Sequence, residues 1–128
     1  MTAIPAVSSI KFNRIFPIVP VSDIQRALSF YVDVLGFEKV FENGDPVGFV
    51  ILQKDEVQLD LSLNRKHKAT TDNVAFLNVS DATALYELCV RNGVRIVKGL
   101  RDAEYGLRTF VFSDPDGNRI DVGQSISR

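Results

Sequence analysis

The stretch "DPDGNRIDV", residues 114 to 122, carries three carboxylates in eight positions: Asp114, Asp116 and Asp121. Grouped acids can hold a hard cation, meet a basic ligand or satisfy the backbone of a turn, and their spacing separates these uses. Asp114, Pro115 and Gly117 take positions i, i+1 and i+3 of a type I turn, each a favoured residue there. A calcium loop of the EF-hand kind does not fit, because glycine stands at the fourth position and no glutamate at the twelfth. Asp114 and Asp116 are therefore expected to build a hairpin turn. Asp121 lies beyond it on a strand, where alternation turns Ile120 and Val122 to one face and Arg119 and Asp121 to the other.

A second carboxylate has the same setting. In "EVQLDLSL", residues 56 to 63, Val57, Leu59, Leu61 and Leu63 alternate with Gln58, Asp60 and Ser62. The apolar set faces a core, and Gln58 and Asp60 face away from it. Polar alternation is ordinary on an exposed antiparallel sheet. Two carboxylates in a partly closed cleft are costlier, unless water, a cation or a basic ligand reaches them.

Other reactive groups offer less. The one histidine, His67, stands between Lys66 and Lys68 in the polar stretch "NRKHKATTD" and has no ligand partner at helical spacing. The one cysteine, Cys89, shares an apolar helical stripe with Leu85 and Leu88, which predicts a packed and inert thiol. No Ser-His-Asp grouping and no glycine-rich phosphate loop can be assembled.

Two similar runs of elements must position these residues. "FPIVPVSDIQRALSFYVDVLGFEKV" opens with a short strand. It then places Ile24, Ala27, Leu28, Tyr31 and Leu35 at i, i+3, i+4, i+7 and i+11, one stripe of a helix. Ser22 and Gln25 have capping-box spacing, and Gly36 suits a left-handed C-terminal cap. Strands are expected over about 37–43, 47–53 and 56–63, divided by "NGDP" and "KDE". After a linker the layout restarts: Val79-Ser80-Asp81 repeats Val21-Ser22-Asp23, and Gly93 repeats Gly36. The chain reads as an internal duplication of strand-helix-strand-strand-strand.

A length of 128 residues, 45% of them hydrophobic, suits one compact domain. Fifteen basic against sixteen acidic side chains leave no field toward nucleic acid or an anionic membrane. No apolar run approaches the ~20 residues that span a bilayer, and "MTAIPAVSSIKF" lacks the pattern of a secretory signal. With a single cysteine, the expected setting is the cytoplasm.

"FPIVPVSDIQRALSFYVDVLGF" and "YGLRTFVFSDPDGNRIDVGQ" resemble the two ends of the vicinal oxygen chelate superfamily, in particular its glyoxalase and bleomycin-resistance branch. The similarity runs from about residue 14 to 124. It implies an α+β fold in which two βαβββ repeats form a curved mixed sheet around a concave cleft. The corresponding division is a tail over 1–13, a first module over 14–63, a linker over 64–72 and a second module over 73–125.

Metal-dependent members of that superfamily carry histidine or glutamate on the first and last strand of each half. The matching places here hold Phe16, then Asp60 beside Gln58, then Asn73 or Val74, then Asp121. Carboxylates and an amide without imidazole or thiolate make a weak, hard-ligand set, so neither a tight metal nor another cofactor is expected. The alternative is a labile divalent ion on Gln58, Asp60 and Asp121, polarising substrate oxygens in an isomerase, lyase or dioxygenase.

The bleomycin-resistance resemblance implies a different role: a homodimer that sequesters a cationic, aromatic-bearing small molecule between its subunits without modifying it. Candidate wall residues are Phe16, Phe49, Asp60, Tyr105, Arg108, Phe110 and Asp121. Phe110 shares a strand face with Arg108, which assigns both to the cleft, although strand aromatics also fill cores. Drug-sequestering members tend to be markedly acidic, whereas this chain is nearly neutral. A less basic ligand follows from that departure.

Overall fold

The computed structural model describes Ile4 and residues 6–126, so residues 1–3 and 5 of the expected tail lie outside the described residues. The chain folds into two βαβββ halves. The first comprises β1 (Ile18–Val21), α1 (Ile24–Leu28), β2 (Glu38–Gly44), β3 (Val47–Lys54) and β4 (Val57–Leu63). The second comprises β5 (Asn73–Asn78), α2 (Ala82–Arg91), β6 (Arg95–Ala103), β7 (Leu107–Ser113) and β8 (Arg119–Ser125).

The repeated Val-Ser-Asp segments start the two helices, but the cap is the aspartate. Asp23 accepts a hydrogen bond from the Arg26 N–H, and Asp81 accepts one from the Ala84 N–H. Both satisfy an otherwise orphaned helix donor. Ser22, expected as the cap, is engaged elsewhere. Gly36 and Gly93 adopt φ of +82° and +68° after the helices, the left-handed turn expected of them.

The helix α1 does not stay α-helical. It continues over Ser29–Val34 with π-type bonding, in which the Leu35 N–H reaches the Phe30 carbonyl at 3.1 Å. The widened turn lets the consecutive residues Phe30 and Tyr31 both face inward, their rings edge to face at 5.0 Å.

The strands form two four-stranded mixed sheets, ordered β1-β4-β3-β2 and β5-β8-β7-β6, as the α+β fold of two βαβββ repeats requires. In each, the first and last strands of the half pair in parallel, a pairing reached through the intervening helix and hairpins. One face of each sheet packs under its helix. Val19, Val21, Leu59, Leu61, Val50 and Leu52 fill the first half, and Phe110, Phe112, Ile120 and Val122 fill the second. Phe30 meets Phe112 at 6.0 Å, joining the two cores. No described helix is long and apolar enough to cross a membrane.

Candidate functional site

Cross-strand register defines what the opposite faces present. In the first sheet, Ile18, Asp60, Ile51 and Phe41 are successive Cα partners across all four strands. In the second, the matching row is Phe76, Asp121, Val111 and Lys98. Residues directly opposite one another share a face, so each sheet carries an aspartate on its second strand, set among apolar neighbours. Ile18, Phe41 and Phe76 are each at least half exposed.

The two aspartates are held differently. Asp60 is buried, and its Oδ1 accepts from Gln58 Nε2 at 3.1 Å. Asp121 is half-buried, and its Oδ1 accepts from the Thr109 hydroxyl at 3.1 Å. Beside Asp121 the Phe76 ring lies over Gly123, where a β-carbon would come 2.6 Å from Phe76 Cζ. The missing side chain thus makes the seat for that ring.

The other expected wall residues scatter. Phe49 is half-buried opposite Ser62, one row from Asp60. Phe16 and Gln58 line a cleft of about 490 Å³ between the halves, to which the second half contributes Phe76 and Asn78. Tyr105 is exposed in the β6–β7 turn.

Phe110 and Arg108 do share a strand face, but it is the helix face, which corrects their assignment to the cleft. Phe110 is fully buried and packs edge to face on Tyr86 of α2 at 5.4 Å. Arg108 donates from Nε to Asp102 Oδ1 at 2.8 Å on that side. Core packing claims the aromatic, and parity carries the arginine with it.

The donor set does not fit a superfamily metal. The register places Ile18 beside Asp60 and Phe76 beside Asp121, where Phe16 and Asn73 or Val74 were expected, and both neighbours are apolar. Among the described residues no three His, Cys, Asp or Glu side chains gather into a cation site.

The β7–β8 turn does more than turn. The Gly117 N–H donates to the Asp114 carbonyl at 3.1 Å, the expected turn bond. Asp114 Oδ1 accepts the N–H groups of Asp116 and Asn118, and its Oδ2 accepts from Tyr31 Oη at 2.7 Å. Asp116, read as a turn residue alone, is in fact a clamp between halves. Its Oδ1 accepts the Ser22 N–H at 2.9 Å, the Ser22 hydroxyl, and Arg26 Nη2 at 2.8 Å. Burial works against its charge, but the bonds from Ser22 and Arg26 outweigh burial and hold the carboxyl below its ordinary range. His67, which the sequence left without a ligand partner, lines a cavity of about 640 Å³ beside this clamp, with its Nε2 buried.

Phe76, Ile18, Thr109 and the Asp116 clamp escaped the sequence reading. For Phe76 the missing information was the parallel β5–β8 register, which strand alternation alone does not contain.

Comparison with known proteins places this architecture. A structure from Sphaerobacter thermophilus DSM 20745, a member of the glyoxalase/bleomycin resistance protein/dioxygenase superfamily, is 30% identical with TM-score 0.76, covering 91% of this chain and 99% of that one. The bleomycin-binding protein of bleomycin-producing Streptomyces verticillus, solved with copper(II)-bleomycin, is 27% identical with TM-score 0.71, covering 93% and 99%. The bleomycin resistance determinant of transposon Tn5 shares the fold at TM-score 0.77 and 23% identity, covering 89% and 98%. A search of the curated proteins finds no match. The profile of the Glyoxalase/Bleomycin resistance protein/Dioxygenase superfamily matches residues 11–122. The chain belongs to that superfamily.

Proposed function

We propose that this protein is a non-enzymatic binder of small, antibiotic-like molecules, with the ligand held against the helix-free faces of its sheets. One observation carries the reading: on the helix-free face of each sheet a single aspartate, Asp60 or Asp121, shares its row with exposed apolar side chains, Ile18 and Phe41 in the first sheet and Phe76 in the second. Contiguous exposed apolar surface around a polar anchor suits a site that a partner molecule covers. Relatives of the same fold bind bleomycin, which supports the class of ligand without naming this one.

In this reading a homodimer covers the faces and leaves a groove for the ligand between subunits. Cytoplasmic residence accords with the single, buried cysteine. The metal-assisted alternative requires a cation on Gln58, Asp60 and Asp121, and the apolar neighbours of both carboxylates disfavour it.

Calorimetric titration against a panel of aromatic antibiotics, bleomycin included, tests the proposal. Binding is expected for at least one member, weakened by Asp121→Ala and by Phe76→Ala; no binding across the panel overturns it. Sedimentation velocity is expected to show a dimer. Metal analysis of the purified protein addresses the alternative: a stoichiometric divalent ion lost in Asp121→Ala would replace the binder by an enzyme.

A further inference from the structure

The helix-free face of the second sheet is asymmetric in charge. Lys98 lies opposite Val111 and Arg101 opposite Thr109, and because the β6–β7 pairing is bulged on either side of Lys98, both β6 cations come onto the face of Asp121 and Phe76. Leu100 packs against the core, which independently turns its neighbour Arg101 to the opposite side. Both cations are exposed, and among the described residues the ion pairs run Arg26–Asp116, Lys39–Glu42, Lys54–Asp55 and Arg108–Asp102, leaving these two out. Asp121 is the one acid in their rows, and its Oδ1 is engaged by Thr109.

The rows also set a scale. Strands are spaced about 4.8 Å apart, so Phe76 on β5 and Lys98 on β6 stand roughly 14 Å apart at the backbone. Long Lys and Arg side chains shorten that span by several ångströms, and Val111, which stands between Asp121 and Lys98 in the row, is buried. An aromatic group on Phe76 and an anionic group on the cations fit this layout at once.

We infer that this face takes an aromatic ligand bearing an anionic group, its ring against Phe76 over Gly123 and its anion against Lys98 and Arg101. The inference rests on the binding-surface reading above and adds the chemical class of the ligand. It runs opposite to a purely cationic drug, since two exposed cations on the face would repel one. Cations on an edge strand also discourage strand-to-strand association, so the experiment must separate recognition from mere solvation.

Fluorescence titration with 8-anilinonaphthalene-1-sulfonate and with N-phenyl-1-naphthylamine does so, because the second probe lacks only the sulfonate. The sulfonate is expected to bind about tenfold more tightly, with a preference that shrinks as salt rises. The double variant Lys98→Ala/Arg101→Ala should lose that preference while keeping its affinity for the neutral probe. Lys98→Arg/Arg101→Lys should retain it, and Phe76→Ala should weaken both probes. If the alanine double variant binds the sulfonate unchanged, or if the two probes bind equally to the native protein, the inference fails and the binding surface stands. If neither probe binds, or if Phe76→Ala changes nothing, the anionic-aromatic site is refuted; absence of both probes counts against the binding surface too.

Discussion

Asp116 in the turn after β7 accepts hydrogen bonds from both the backbone N–H and the hydroxyl of Ser22, tying the second half of the chain to the start of α1. The Arg26 guanidinium, half exposed, joins the same carboxylate oxygen. Removing the acceptor leaves a Ser22 N–H without its partner at the seam, a loss usually worth about 1.5–3 kcal/mol for bonds to a charged group. Asp116→Ala is expected to lower urea stability by about 2 kcal/mol, with most of the effect reproduced by neither Arg26→Ala nor any other exposed-charge change.

The same carboxyl predicts an acid limb. Its folded pKa lies below the ordinary value near 4, so the charged form is favoured in the native state. That stabilisation is fully present above the unfolded pKa and is lost as pH falls through the depressed folded value. The stability gap between the native protein and Asp116→Ala should therefore be constant down to about pH 4 and narrow below it. Chemical denaturation at stepped pH reads this directly; a gap that widens on acidification would contradict the clamp.

Much of the scaffold was legible in advance because it rests on local rules. The duplicated Val-Ser-Asp segments, the positive-φ glycines after each helix and the strict alternation of β4 depend on near neighbours, and each appears where expected. The site was less legible because it depends on pairing. Asp60 and Asp121 were identifiable from alternation, but their apolar row-mates Ile18 and Phe76 follow from parallel registers between strands far apart in sequence. Phe110 went to the core because parity states which residues share a face and not which face meets the helix. Asp116 looked like turn chemistry because its partner Ser22 stands near the other end of the chain.

Tyr31 gives the seam a second bond that can be cut without a cavity. Its hydroxyl donates to Asp114 Oδ2, which also accepts from Asn118 Nδ2. Tyr31→Phe keeps the ring and leaves Asp114 partly satisfied, so the expected loss is about 1–2 kcal/mol. Burial first, and Asp114 second, raise the phenol well above its usual value. The neutral form is thus favoured in the native state, and stability should fall as pH climbs past the unfolded value near 10. Ultraviolet titration should show the Tyr31 phenolate appearing only with unfolding, a transition absent from Tyr31→Phe.

Cys89 is fully buried on α2, and burial pushes its thiol up to about 11. With neither exposure nor thiolate at neutral pH it should be inert. Reaction with a disulfide reagent at pH 8 should be slow in the native protein and immediate in denaturant. Cys89→Ser would place a hydroxyl in that apolar site and should cost about 1–3 kcal/mol in thermal or urea unfolding.

Gly117 and Gly123 separate the seam from the binding face. At Gly117 the backbone holds φ of +79°, and a β-carbon would come within 2.7 Å of Ala69 Cα in the linker that crosses the turn. Neither strain nor clash can relax through a side chain, so Gly117→Ala should cost at least about 1–2 kcal/mol. At Gly123 the obstacle is the outer edge of the Phe76 ring, 53% exposed and free to swing away. Gly123→Ala should therefore keep nearly native stability while lifting the ring from its seat. Paired melting and titration experiments check the contrast: Gly117→Ala loses stability and, when folded, keeps its affinity for aromatic probes, whereas Gly123→Ala keeps stability and loses affinity. Equal binding by Gly123→Ala and the native protein would remove the Phe76 seat from the site.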